Sequence, residues 1–222
     1  MQIQWLGQSA FRLATDDATV VVDPLGDVAA LAARGGLKLE YPPIEGIRAD
    51  LVLVTHEHAD HNGVDRIDGD PVVLRSTAGR LSSPIGEIVA VASEHDDAAG
   101  TRAGPNTIFA FELDGIRIAH FGDFGQRALR DEQVEAIGAV DLLFVPVGGG
   151  ATIDAEQAVG VVDRLRPRWI VPMHYRTHRV DLLDTADAFL ERMANVVRLP
   201  TPAFDTAELP DGAPLTIVPA AP

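Results

Sequence analysis

The stretch Leu51 to Gly63, LVLVTHEHADHNG, constrains this chain more than any other, because an apolar strand runs directly into His56, His58, Asp60 and His61. His56 and His58 are two apart, so an extended backbone points both to one side, whereas Asp60 and His61 follow where the chain turns and aim elsewhere. One loop can thus serve two metals. Scattered surface polar residues are the bland alternative, but imidazole is the commonest metal ligand and a cluster this dense at a strand end has few other uses. The chain contains no cysteine, which excludes disulfides, thiolate zinc sites and a cysteine nucleophile. Any metal must therefore be held by histidines and carboxylates.

Short β-branched runs bounded by Gly, Pro, Asp or Ser predict strands over Thr19 to Val22, Leu51 to Thr55, Val72 to Leu74 and Ile88 to Ala92. Thr107 to Leu113 and Ile116 to His120 are separated by Asp114-Gly115, the signal for a tight hairpin. In the second half a strand at Leu142 to Val147 leads through Gly148, Gly149 and Gly150 to a helix capped by Asp154 and running to about Leu165. Pro167 closes that helix, Trp169 to Val171 reads as a strand, and Asp184 to Ala194 as a further helix. Strands first and βαβα alternation later predict a layered α/β fold. Between Pro24 and Asp50 a short Ala-rich helix, Val28 to Arg34, is flanked by Gly-Gly and Pro-Pro and forms either a flap beside a site or an ordinary connection. The Pro- and Ala-rich tail from Thr201 is expected to wrap the surface.

At 222 residues the chain can bury one sizeable core, and one domain over 1–222 is expected. The net charge is −15 and no cluster of five or more Lys/Arg occurs, which disfavours nucleic acid as a partner. A small-molecule substrate fits better, with homo-oligomerisation left open. The N-terminus has no basic region followed by an apolar run, and no stretch reaches the ~20 apolar residues of a membrane span, so a cytoplasmic location is expected.

The loop His56-x-His58-x-Asp60-His61 after a buried strand resembles the signature of the metallo-β-lactamase superfamily. IRIAHFGDFG resembles that family's strand ending in Gly-Asp, and WIVPMHY the strand ending in its last histidine. The stretch DLLFVPVGGGATIDAEQAVGVVDRLRPRWIVPMHY is similar to small zinc-dependent hydrolases related to the ascorbate-phosphate lactonases. The resemblance implies a four-layer αββα sandwich. Carried over by position, it implies that His56, His58 and His95 hold one metal, that Asp60, His61 and His174 hold the other, and that Asp123 bridges them. Asp96 and Asp97 compete with His95 for its slot. His120 and His178 are left over, as structural or supporting residues.

What the resemblance implies chemically is a metal-dependent hydrolase with two divalent ions, zinc by default and manganese or iron as alternatives. Its water would attack a small ester, lactone, amide or phosphoester, with Asp60 and Asp123 orienting the nucleophile and His178 or Tyr175 protonating the leaving group. Arg102, Arg176 and Arg179 are candidates for holding an anionic substrate group. The glycine run at 148–150 invites a phosphate-cradle reading, but a side-chain-free strand exit explains it better. Flavodiiron redox chemistry, which uses Glu at the place of His58, is disfavoured. So are secreted β-lactamases, glyoxalase II-type thioesterases and the nucleases, whose added segments are not seen. Two rivals remain: a non-catalytic metal-binding scaffold, and a nuclease or phosphodiesterase of the same fold.

Overall fold

The computed structural model describes residues 1–210, 212 and 214–222. In chain order the strands are β1 (Gln2–Gly7), β2 (Ala10–Ala14), β3 (Thr19–Val22), β4 (Leu51–Val54), β5 (Val72–Arg75), β6 (Gly79–Ser83), β7 (Gly86–Glu94), β8 (Pro105–Leu113), β9 (Ile116–His120), β10 (Leu142–Pro146), β11 (Trp169–Met173), β12 (Val196–Arg198), β13 (Ala203–Asp205) and β14 (Leu215–Val218). The helices are α1 (Ala29–Arg34), α2 (Asp131–Ile137), α3 (Ala155–Leu165) and α4 (Asp187–Leu190). They build a six-stranded sheet, β13-β1-β2-β3-β4-β5, and an eight-stranded sheet, β12-β14-β11-β10-β9-β8-β7-β6.

Both sheets are mixed, and residues of both meet in one core, the layered sandwich that the resemblance implies. The runs TVVV and LVLV are apolar without alternation because β3 and β4 are buried on both faces. Val20, Val22, Leu51 and Leu53 belong to the main core, while Val21, Val52 and Val54 pack outward under Leu25, Ile44 and Ile67. The outer layer over the six-stranded sheet is thus mainly the irregular segment 24–50 with the short α1. On the other side α2 packs on β7 and α3 on α4.

The hairpin turn forms where expected: Asp114 and Gly115 have φ of 56° and 70°, and Leu113 pairs with Ile116. Asp154 caps α3 as predicted. Its side chain accepts from the Gln157 amide at 2.9 Å while the Gln157 side chain accepts from the Asp154 amide at 3.0 Å, a reciprocal capping box. Asp154→Ala is therefore expected to lower unfolding stability by about 1 kcal/mol, read by urea denaturation, with metal binding unchanged.

Two expectations are corrected. The helix read over Asp184 to Ala194 shrinks to the single turn α4, because residues before it are engaged elsewhere: the Asp184 amide donates to Gly148 O at 2.9 Å and Asp184 O accepts from the Arg176 amide at 2.8 Å. Beyond it, Arg192 and Met193 make three-residue bonds to Phe189 and Leu190, and Asn195 at φ 56° turns the chain into β12. Nor does the tail merely wrap the surface. β13 pairs with β1, and β14, buried throughout, is inserted between β11 and β12. Among the described residues no helix is long and apolar enough to cross a membrane.

Candidate metal centre

The strands ending at one common edge of the two sheets deliver the polar residues. β3 leads into Asp23, β4 into Thr55 and the loop with His56 to His61, β7 into His95, β9 into Asp123, and β11 into His174. The turn between β1 and β2 adds Gln8 and Ser9 at the same edge. A convergence of strand ends is where layered α/β folds place ligands. The backbone is tense here: Gln8, Asp23 and His174 have φ of 47°, 48° and 51°, a left-handed region unusual for such residues.

Asp123 lies at the centre. Its Oδ2 is 3.2 Å from Nε2 of each of His61, His95 and His174, and 3.9 Å from Nε2 of His56. Its Oδ1 accepts from Ser9 Oγ at 3.1 Å, and its amide donates to Asn106 Oδ1 at 3.0 Å. Around that carboxylate the donors fall into three overlapping sets, with ligand atoms within 4.8 Å of one another: His56, His58 and His95; His56, His61 and Asp123; Asp60, His61 and His174. His56, His61, His95, Asp123 and His174 are buried, Asp60 is partly so, and His58 is exposed.

Hydrogen bonds fix which imidazole nitrogen is free. Asp23, fully buried, accepts from the Thr55 amide at 2.7 Å, from Thr55 Oγ1 at 2.7 Å and from His61 Nδ1 at 2.9 Å. In its neutral form His61 thus carries its proton on Nδ1, and its Nε2, buried and without a hydrogen-bond partner, then presents a lone pair to the cluster. Thr55 Oγ1 has given its proton to Asp23, so at 3.1 Å it accepts from His56 Nδ1, which leaves His56 Nε2 unprotonated as well. His95 Nδ1 faces Ala151 O at 3.4 Å.

The electrostatics call for positive charge. Burial, with the neighbouring His61 charge, pushes His56 down to about 3, so it is a neutral imidazole. The exposed His58 is lowered by the partial desolvation its ring meets beside His56 and His95 and then by His95 itself. Burial alone would raise the Asp123 carboxyl, but His174 and His61 hold it well below the carboxylate range, and Asp60 is likewise lowered by His61 against its burial. Burial pulls His61 down, yet Asp123, Asp60 and Asp23 drive it well above its ordinary value; His95 is raised by Asp123 in the same way. Among the described residues the only ion-pair partners of Asp23, Asp60 and Asp123 are histidines. A site of buried carboxylates whose negative charge is offset only by histidine protons, with an orphaned inward nitrogen and no Lys or Arg, fits divalent cations, which would take the place of those protons.

Other candidates lie outside the cluster. Tyr175 packs its ring 5.4 Å from Trp5 and has its hydroxyl pushed up by burial; among the described residues it makes no hydrogen bond to the cluster. His178 is exposed in the loop closed by the Thr177 and Val180 pairing. Arg102 pairs with Asp97 at 3.2 Å, Arg176 donates to Leu183 O, and Arg179 donates to Pro222 O at 2.8 Å. The Asp96 carboxylate is occupied by the amides of Ala98, Gly100, Arg102 and Ala103, which hold it down at about 2, so it shapes the loop after His95. His120 is fully buried, accepts from the Gly122 amide on Nδ1 and donates from Nε2 to Ser9 O at 2.9 Å. It supports the residue that holds Asp123. A side chain on Gly148 would overlap His174 O, so that glycine serves the strand exit. Asp23, Thr55, Ser9 and Asn106 escaped the sequence reading; Asp23-Pro24 after an apolar strand was the available signal.

The family description "Beta-lactamase superfamily domain" matches residues 2–174. A metal-dependent hydrolase of the UPF0173 group from Thermococcus kodakarensis is 30% identical over 207 residues, covering 80% of this chain and 85% of its own. A relative of the same name from Thermus thermophilus is 28% identical, covering 86% and 91%. A solved structure from Thermotoga maritima, named for a zinc-dependent hydrolase of the metallo-beta-lactamase superfamily, superposes with a TM-score of 0.78 at 30% identity over 98% of both chains.

Proposed function

From the premise that this chain belongs to the metallo-β-lactamase superfamily and is one of its metal-dependent hydrolases, we propose that it holds two divalent ions, zinc by preference, and hydrolyses a small ester, lactone or phosphoester. His56, His58 and His95 form one ligand set, Asp60, His61 and His174 the other, and Asp123 is shared. The observation that carries this reading is the meeting of His61, His95 and His174 at 3.2 Å on one oxygen of Asp123. Bound divalent ions would acidify a water to near neutrality and polarise the scissile group.

The residues of the chain do the rest. Asp23 and Thr55 hold the two loop histidines in the tautomer that offers Nε2, and Ser9 orients Asp123 so that its second oxygen faces the histidines. Asp60, partly exposed beside His61, would orient the attacking water as well as bind metal. The burial of Tyr175 disfavours it as leaving-group acid and leaves that role to the exposed His178. Lactones rank among the substrates on the likeness to ascorbate-phosphate lactonases, and a small neutral or weakly charged substrate suits the acidic chain.

The test is metal content per chain by mass spectrometry on protein purified without chelator. About two equivalents are expected, falling to about one in both His61→Ala and His174→Ala. One equivalent or fewer in the wild type, unmoved by either variant, would overturn the two-metal reading.

A further inference from the structure

A cavity of about 230 Å³ contains none of the candidate ligands yet is built on three of the segments that carry the site. Its walls include Leu25, Val28, Leu39, Tyr41, Pro43 and Ile44, and its charged residues, Arg66 and Asp27, pair with each other at 3.6 Å. The floor rests on the histidine loop: the Gly26 amide donates to Ala59 O at 3.1 Å, between His58 and Asp60, and Leu25 packs directly on Gly63. The Tyr41 ring lies over Gly7 so closely that a Cβ there would be 2.5 Å away, beside the turn bearing Ser9. Tyr41 Oη is 3.4 Å from Thr177 Oγ1, in the loop that follows His174.

The segment forming the outer wall is held in place. Leu39 bridges Val180, the Glu40 amide donates to Arg179 O at 2.9 Å, and the Lys38 amide donates to the Asp181 carboxylate at 2.9 Å. A preformed wall matters because a pocket that must be ordered on binding loses affinity to that ordering. The residue chemistry selects the ligand. The cations and anions of the lining neutralise each other, the other side chains are apolar apart from the Tyr41 hydroxyl, and at ~30 Å³ per water-sized group the space takes about eight non-hydrogen atoms.

Building on the hydrolase reading, we propose that this cavity is the subsite for the non-reacting part of the substrate, and that the part it takes is a neutral, apolar group the size of a benzyl or short alkyl chain. The opposed loops of Ala59 and Thr177 set it beside the metal centre, so that filling it holds the scissile bond toward the ligands.

The probe is benzyl alcohol, a neutral molecule of that size, titrated into the metal-loaded full chain and followed by amide resonances. Saturable shifts at Gly26, Val28, Leu39 and Tyr41 are expected, with affinity about tenfold weaker in Ala29→Trp, which plugs the rim from an exposed position. In the same variant the ratio of kcat/KM for phenylacetate over acetate esters is expected to fall about tenfold, and in Val28→Ala, which widens the space, to move toward bulkier acyl groups. Metal content is measured for each protein. Absent shifts, shifts equal in wild type and Ala29→Trp, or an unchanged ratio would overturn the subsite. Binding without turnover of either ester would instead count against ester hydrolysis and leave the cavity as a ligand site.

Discussion

Replacing Asp123 by alanine is expected to lower bound metal from near two equivalents to less than one and to cut turnover about a thousandfold or more, equivalent to about 4 kcal/mol in the barrier. The expectation follows from the sharing of one carboxylate. Oδ2 stands at 3.2 Å from donors drawn from both ligand sets, so its removal weakens both positions together, whereas loss of His58 or Asp60 weakens one. A purely structural role would give a different pattern. In the metal-free protein the variant removes the buried counter-charge of His61, His95 and His174, so the melting temperature of the apo-protein should fall as well. The stabilisation that added zinc gives the wild type should be largely lost, since a ligand stabilises only as far as it binds the folded state. Equal melting shifts with and without zinc, at full turnover, would remove Asp123 from the centre.

How much of this was legible beforehand depended on whether a signal was local. The dense loop from His56 to His61 announced itself, as did the Asp114-Gly115 turn and the Asp154 cap, because each is set by residues adjacent in sequence. His95, Asp123 and His174 came from resemblance, and the structure brings them to the same point through the pairing of distant strands. The β1 strand was overlooked although Ile3 and Trp5 alternate with Gln2 and Gln4 and enter the core. The Pro- and Ala-rich flanks of Leu215 to Val218 concealed an interior strand, since composition reports the average of a segment and not the four residues that pair. Asp184 to Ala194 has a helical pattern but loses its first turn to loop contacts at Gly148 and Arg176, a tertiary preference that local propensity does not contain. Asp23 was missed for a related reason. Its partners Thr55 and His61 lie 32 and 38 residues away, and Asp23-Pro24 after an apolar strand marks a strand exit without naming either of them.

Asp23→Asn is expected to weaken binding of both metals by about ten- to a hundredfold while leaving the protein folded. The two side chains have the same shape, but the amide offers one acceptor where the carboxylate offers two. With its oxygen kept against the Thr55 amide, its NH2 takes the place of Oδ2 and donates to Thr55 Oγ1 and His61 Nδ1. His61 must then carry its proton on Nε2, the nitrogen directed at Asp123. Thr55 Oγ1, now an acceptor from the new side-chain NH2, turns its own proton to His56 Nδ1, and His56 in turn is driven to protonate Nε2. One substitution thus blocks a lone pair in each ligand set. The reverse placement sets NH2 against the Thr55 N–H, two buried donors facing each other, at a cost of about 1–3 kcal/mol. Either way the loss appears in a zinc titration against a competing chelator. Wild-type affinity in Asp23→Asn would mean that the bonds from Asp23 do not set the tautomers of His56 and His61.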